Sequence, residues 1–292
     1  MLLWLVILVR IVANPFSNVF QKLLTRKSAD PLFIILVTHA FISIVGLPIF
    51  LRHLHGLPAA YWSNMLIVGV LTVWGNVLIV AALKRSDLSV LGPINAYKSV
   101  VSLVPGILLL HEIPGRRGLL GIALIVAGSY FIVDKNVGRP RQNLFVKFFK
   151  DRGVQYRLAA LVVSAIEAVF LKRAAVASSA TITFAGWAVI GFGASILAAL
   201  ILLRGRWRRE INTAWRHGVN FAMLAVATGL MQFCTIVSFG GMKVGYALAL
   251  FQTSTLLAVL LGYKIFREKN IFERLLGSLI MVAGAVLIVL SR

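Results

Sequence analysis

At 292 residues the chain could hold two soluble domains, but 60% of it is apolar and only 13% is charged, against roughly a quarter charged in a typical soluble protein. A mean hydropathy of +0.92 excludes a water-soluble globule, and ten apolar stretches, each near the ~20 residues that cross a bilayer, leave no room for a soluble catalytic domain. Thirty Lys and Arg against nine Asp and Glu give a net charge of +21, which in a soluble chain would suggest nucleic-acid binding; here the cations first mark the cytoplasmic side of a membrane.

Runs and breakers predict an all-α polytopic membrane protein. Span 1 (2–24) has no basic segment before it and is too long for a cleaved signal. It carries Arg10, Asn14, Asn18 and Gln21 at helical spacing, and Asn14-Pro15 predicts a kink that either frees carbonyls or bends the helix for packing. Span 2 (31–51) contains His39, and span 3 (61–83) contains Thr72 and Asn76. Span 4 (88–110) holds Asn95, Lys98 and Ser102 between Pro93 and Pro105, and span 5 (115–133) has Gly121 and Gly128. A basic stretch, 134–154, separates the halves. Span 6 (155–177) carries Ser164 and Glu167, and span 7 (180–203) is apolar. Span 8 (218–240) shows Thr228, Gln232 and Thr235, and span 9 (244–263) has the run Gln252-Thr253-Ser254-Thr255. Span 10 (271–290) repeats the glycine pair as Gly277 and Gly284. The single cysteine, Cys234, excludes an intramolecular disulfide.

The halves repeat. A shift of 156 places Gly106 on Gly262, Glu112 on Glu268, Leu119-Leu120-Gly121 on Leu275-Leu276-Gly277 and Val126-Ala127-Gly128 on Val282-Ala283-Gly284. A shift of 150 places Lys22 on Lys172. The expected units are 1–133, a loop at 134–154, and 155–292. With five spans in each unit, the second copy must insert upside down, an arrangement typical of secondary transporters with a substrate site near the midplane.

Of the thirty Lys and Arg, 21 lie in the loops after odd-numbered spans. That asymmetry puts those loops in the cytoplasm and both termini outside, and a polybasic loop facing anionic lipid accounts for most of the excess charge.

Leu109-Leu110-His111-Glu112-Ile113-Pro114, followed by Gly121 and Ala127-Gly128, together with the copy Glu268, Gly277 and Ala283-Gly284, resembles the duplicated EamA repeat of the drug/metabolite transporter superfamily. The resemblance covers essentially the whole chain. It implies a ten-span transporter with spans 5 and 10 outside a central cavity, more often an exporter, and is nearly silent on substrate. Many relatives are thought to keep both termini in the cytoplasm, the reverse of what the charge count predicts here.

Four ionisable residues fall well inside spans: Arg10, His39, Lys98 and Glu167. Each costs ~2.5–3.5 kcal/mol at a helix centre on insertion scales, so each needs a partner, water or a function. The expected substrate-binding set is Lys98, Asn95, Asn14, Asn18, Asn76, Gln232, Gln252 and Ser254, with Glu167, Arg10 and His39 as coupling or gating groups. The structural alternatives are a Lys98–Glu167 pair, an Arg10 that snorkels to the surface and a hydrogen-bonded interior His39, whose ordinary pKa would also suit a proton relay. Glu112 and Glu268 sit in basic turns with Arg116, Arg117, Lys269 and Arg274 and are expected to stabilise those turns. His53 and His55 lack a third ligand, and no enzyme signature or cofactor motif is present.

The expectation is therefore a multi-pass transporter of the plasma membrane, in bacteria the inner membrane. It would be a monomer or homodimer, moving a small anionic or zwitterionic metabolite by alternating access, with protons as a candidate coupling ion. The competing readings are a flippase for a lipid-linked anionic headgroup and a non-transporting scaffold or membrane enzyme.

Overall fold

The computed structural model describes residues 2–86, 91, 94, 97–133, 151–267 and 271–289; Asn95, Pro93, Glu268, Lys269 and most of the 134–154 stretch lie outside them. The described residues are helical with no strand. In chain order the helices are α1 (Leu2–Arg26), α2 (Pro31–His53), α3 (Ala59–Arg85), α4 (Tyr97–Val101), α5 (Leu103–Leu110), α6 (Arg116–Val133), α7 (Arg152–Ala177), α8 (Ala180–Leu202), α9 (Trp207–Arg216), α10 (Gly218–Gly241), α11 (Val244–Phe251), α12 (Ser254–Phe266) and α13 (Ile271–Val289).

The starts of several helices follow from capping chemistry. Asp30 accepts from the Leu32 N–H ahead of Pro31, Asp151 from Gly153 and Val154, and Ser179 from Ile182; each satisfies backbone donors that the first turn leaves open. Among the described residues, six segments are long and apolar enough to cross a membrane: α1, 31–56, α3, α8, α10 and 244–266. Helix α7 falls outside that set because it carries Gln155, Arg157, Ser164, Glu167, Lys172 and Arg173, spread around its length.

Two predicted spans are interrupted. Predicted span 4 divides at Ser102, between α4 and α5. Pro105 has no N–H and its ring crowds the carbonyl four residues earlier, that of Val101; the Ser102 hydroxyl turns back to Ser99 O at 2.8 Å. Predicted span 9 divides at Gln252-Thr253, where Gln252 N bonds Ala249 O and Thr253 N bonds Leu250 O, the tighter i→i+3 pattern. In contrast, α1 runs unbroken through Pro15. Helix α9 lies in what the sequence reads as a basic loop.

The major contacts all join one half to the other: α1 packs on α10, α2 on α8, α3 on α7 and α6 on α13. Each pair is antiparallel. Arg10 meets Thr235 and Ser17 meets Thr228; His39 lies against Gly191 and Gly46 against Ala185; Thr72 meets Glu167 and Gly75 faces Val163. In the last pair the glycines cross each other. A Cβ on Gly121 would sit 2.7 Å from Gly284 O, and one on Gly128 2.6 Å from Gly277 O, so small residues set this close approach. The buried core includes Trp187, Tyr61, Phe221, Phe239 and Phe251.

Candidate functional site

The interior polar residues gather along the α1–α10 and α3–α7 seams. On α1, Arg10 is buried; its Nε donates to Thr235 Oγ1 at 3.3 Å, and its guanidinium lies 4.2 Å from the centroid of the Phe251 ring. One turn on, Asn14 Nδ2 donates to Ser254 Oγ at 3.1 Å, joining two of the expected binding residues. Another turn brings Ser17 to Thr228 at 2.8 Å. Spacing of three to four residues puts all of them on one side of α1, so Arg10 faces the protein instead of snorkelling.

Across the molecule, Glu167 accepts from Thr72 Oγ1 at 2.5 Å, and the Trp187 indole N–H donates to the same hydroxyl oxygen at 3.0 Å. Hydrogen bonds to a charged acceptor are the stronger kind, so Thr72 and Trp187 hold the carboxylate on the α3–α7 seam. This arrangement has a counterpart in the other half: Thr72 and Thr228 are 156 positions apart, and Ser17 and Glu167 are 150 apart. One seam therefore has a hydroxyl pair where the other has a hydroxyl–carboxylate pair.

Lys98, on α4, is half-buried. It is attracted by Glu167 and repelled by Arg10 and Arg157. The described ion-pair contacts lie elsewhere, at Lys172–Glu112 and Arg206–Asp30. Lys98 and Glu167 thus interact through space, and the described bonds of Glu167 go to neutral donors.

Arg157 was missed in the sequence because it lies in the basic first turns of α7 and counts as a topological cation. It is 6% exposed, and its Nε has no hydrogen-bond partner among the described residues. Among the described residues, Lys98 is thus acted on by two further cations, Arg10 and Arg157, and by one carboxylate, Glu167.

His39 is a buried interior histidine. Its Nδ1 meets Ile35 O at 3.0 Å, which fixes that nitrogen as the protonated one because a carbonyl only accepts. Its Nε2 has no partner among the described residues and abuts Gly191, and its ring lies 4.6 Å from that of Trp187. Asn76 donates to Thr72 O at 2.9 Å, Gln252 donates to Leu248 O at 2.9 Å, Gln232 is buried and Asn18 is half-buried. Among the described residues no three His, Cys, Asp or Glu side chains are placed to hold a metal ion.

Glu112 does more than brace its own basic turn. It pairs with Lys172 of α7 and accepts from the backbone N–H of Val244 at 2.7 Å, while Lys172 also donates to Met242 O at 2.9 Å. Nearby, Gly115 N donates to Tyr246 Oη at 2.9 Å and Lys243 Nζ to Ile113 O at 2.6 Å. The turn after α5 is thereby tied to two elements of the other half.

The sequence matches the EamA-like transporter family twice, over residues 2–134 and 151–290. The chain belongs to that family. It is a multi-pass membrane transporter of the drug/metabolite transporter superfamily. No curated protein matches it. A solved crystal structure, described only as that of a protein, superposes with a TM-score of 0.67 over 98% of this chain and 96% of the other at 17% identity; at that identity the likeness speaks to the fold alone.

Proposed function

We propose that this EamA-family transporter moves a small anionic or zwitterionic metabolite, most readily an anion, by alternating access between two five-span halves of opposite orientation. The observation that carries this reading is the charge balance of the interior: Arg10, Lys98 and Arg157 against Glu167. Arg157 lies near a helix end, where a cation costs less, so the excess at depth is Arg10 and Lys98 over Glu167 among the described residues, one cation at ~2.5–3.5 kcal/mol on insertion scales, which a bound anion would offset. The antiparallel pairs α2–α8 and α6–α13 join repeat-equivalent helices, and α1–α10 and α3–α7 exchange under the repeat, which supports the inverted halves; the interruptions at Ser102 and Gln252-Thr253 resemble the broken helices that line transporter midplanes.

In this reading Lys98 and Arg10 attract the anionic group. Asn14, Ser254, Gln232, Gln252, Asn18, Asn76 and Asn95 supply neutral polar contacts. Glu167, positioned by Thr72 and Trp187, competes with substrate for Lys98 and serves as the coupling group, with His39 behind Trp187. The ten-span count, cytoplasmic odd-numbered loops, both termini outside, a bacterial inner-membrane location and export as the direction complete the proposal.

The test is thermal denaturation of the purified protein with succinate, inorganic phosphate, glutamate, choline and glucose, because a ligand that binds the native state raises its melting temperature. The anions should stabilise the parent and not Lys98→Gln or Arg10→Gln. Stabilisation by choline alone, or equal anion effects in the variants, refutes the reading. Lipid-tail-dependent stabilisation that is lost in Lys98→Gln would instead favour the flippase.

A further inference from the structure

A groove of about 510 Å³ runs along the outer face between α1 and α10. It is lined by apolar side chains alone, among them Leu8, Val12, Phe16 and Phe20 of α1 and Met223 and Val226 of α10. From residue 8 to residue 20, α1 rises about 18 Å at 1.5 Å per residue, close to the ~15 Å depth of one leaflet of a ~30 Å hydrocarbon core. Its inner wall is closed: Ser17–Thr228 and Arg10–Thr235 hydrogen bonds zip α1 to α10 behind it. The groove therefore opens to lipid and not to the polar interior.

Helix α9 lies at one end of this groove. Its last residue, Arg216, precedes the start of α10 at Gly218, and Met223 enters the groove five residues later. Apolar and basic residues divide around the helix. Trp215 is 85% exposed and Ile211 is also exposed, while Arg208, Arg209 and Arg216 project into solvent. The only acid of the helix, Glu210, is buried and accepts from the Asp30 N–H at 2.9 Å. Asp30 in turn pairs with Arg206 at 3.1 Å, and Phe33 packs edge-on against Trp207 at 6.3 Å. These contacts fix α9 to the start of α2, and the nearby acids are spent in doing so. Amphipathic helices of this kind lie in the bilayer interface.

We propose that the α1–α10 groove and α9 together form a site for one anionic phospholipid, an acyl chain in the groove and the headgroup on the arginines of α9. A chain-length furrow supplies the fit for the tail. The exposed arginines supply the preference for a negative headgroup, as basic interfacial segments do for anionic leaflets. This lipid is a resident ligand, separate from any transported solute.

The experiment uses the full-length protein in phosphatidylcholine nanodiscs doped with phosphatidylglycerol or phosphatidylcholine bearing brominated chains, with Trp fluorescence quenching as the readout. Phosphatidylglycerol should quench saturably and bind roughly tenfold more tightly than phosphatidylcholine. Arg208→Gln/Arg209→Gln/Arg216→Gln should equalise the two lipids. Val226→Phe, which adds bulk in the groove without adding a fluorophore that the bromines report on, should weaken binding of both. Should the triple variant fail to fold, the exposed Arg216→Gln alone should still reduce the preference. Equal binding of both lipids by the parent, quenching that never saturates, or affinities unmoved by Val226→Phe overturns the proposal.

Discussion

Replacing Glu112 by alanine strands Lys172 and the Val244 N–H at the junction of the two halves. The two side chains are 12% and 15% exposed, so the pair is largely, though not wholly, removed from water. Breaking a buried pair from one side costs ~3–5 kcal/mol; with this residual solvent access the low end, ~3, applies, and the lost acceptor for Val244 adds ~1. For 292 residues, an unfolding entropy of ~2.1 cal/mol/K per residue gives about 0.6 kcal/mol/K. The melting temperature of Glu112→Ala should therefore fall by about 7 °C. Cys234, buried and the only cysteine, supplies the assay, because a thiol-reactive fluorophore lights up as the protein unfolds in detergent. Glu112→Gln keeps an acceptor for Val244 and should lose less. Lys172→Met should cost nearly as much as Glu112→Ala, and the double variant less than their sum, because contacting partners couple. Strict additivity, or a loss under 1 °C in Glu112→Ala, would show that the pair does not join the halves.

Two other substitutions probe the seams. Thr72→Val removes the hydroxyl that donates to Glu167 and accepts from Trp187; a loss of ~1.5–3 kcal/mol is expected for a hydrogen bond to a charged group, read as a lower melting temperature that Thr72→Ser largely restores. Gly121→Ala forces a Cβ to 2.7 Å from Gly284 O and should cost ~1–3 kcal/mol by overpacking, whereas Gly106→Ala, with nothing within 4 Å, should be neutral or slightly stabilising by the same melting assay.

Much of this architecture can be read from the sequence because lipid demands long apolar runs, and interrupting them with Arg10, Lys98 or Glu167 is costly enough to signal a special position. The glycine pairs of α6 and α13 were equally readable, since a period of seven puts both on one helix face. The break at Ser102 follows from Pro105. The break at Gln252-Thr253 had no such signal: its residues only offer side-chain hydrogen bonds that compete with the helix. Arg157 was hidden by its place in the first turns of α7, beside a basic stretch, where cations are ordinary. Helix α9 was hidden by its arginines, although Trp207, Ile211, Ala214 and Trp215 recur at helical spacing. The Glu112–Lys172 contact joins residues 60 apart, and only the packed fold brings them together.

The pairing of α1 with α10, α2 with α8, α3 with α7 and α6 with α13 has a consequence for biosynthesis. As the ribosome delivers the chain, the helices of the first half enter the bilayer with their intended partners not yet made. Arg10 then has neither Thr235 nor Phe251, and Glu112 has no Lys172. The nascent half must hold these groups against water, lipid headgroups or the insertion machinery until the second half arrives. Assembly is therefore a closing of two interlaced halves rather than the docking of two finished domains, and the polar seam residues reach their low-energy contacts only at its end.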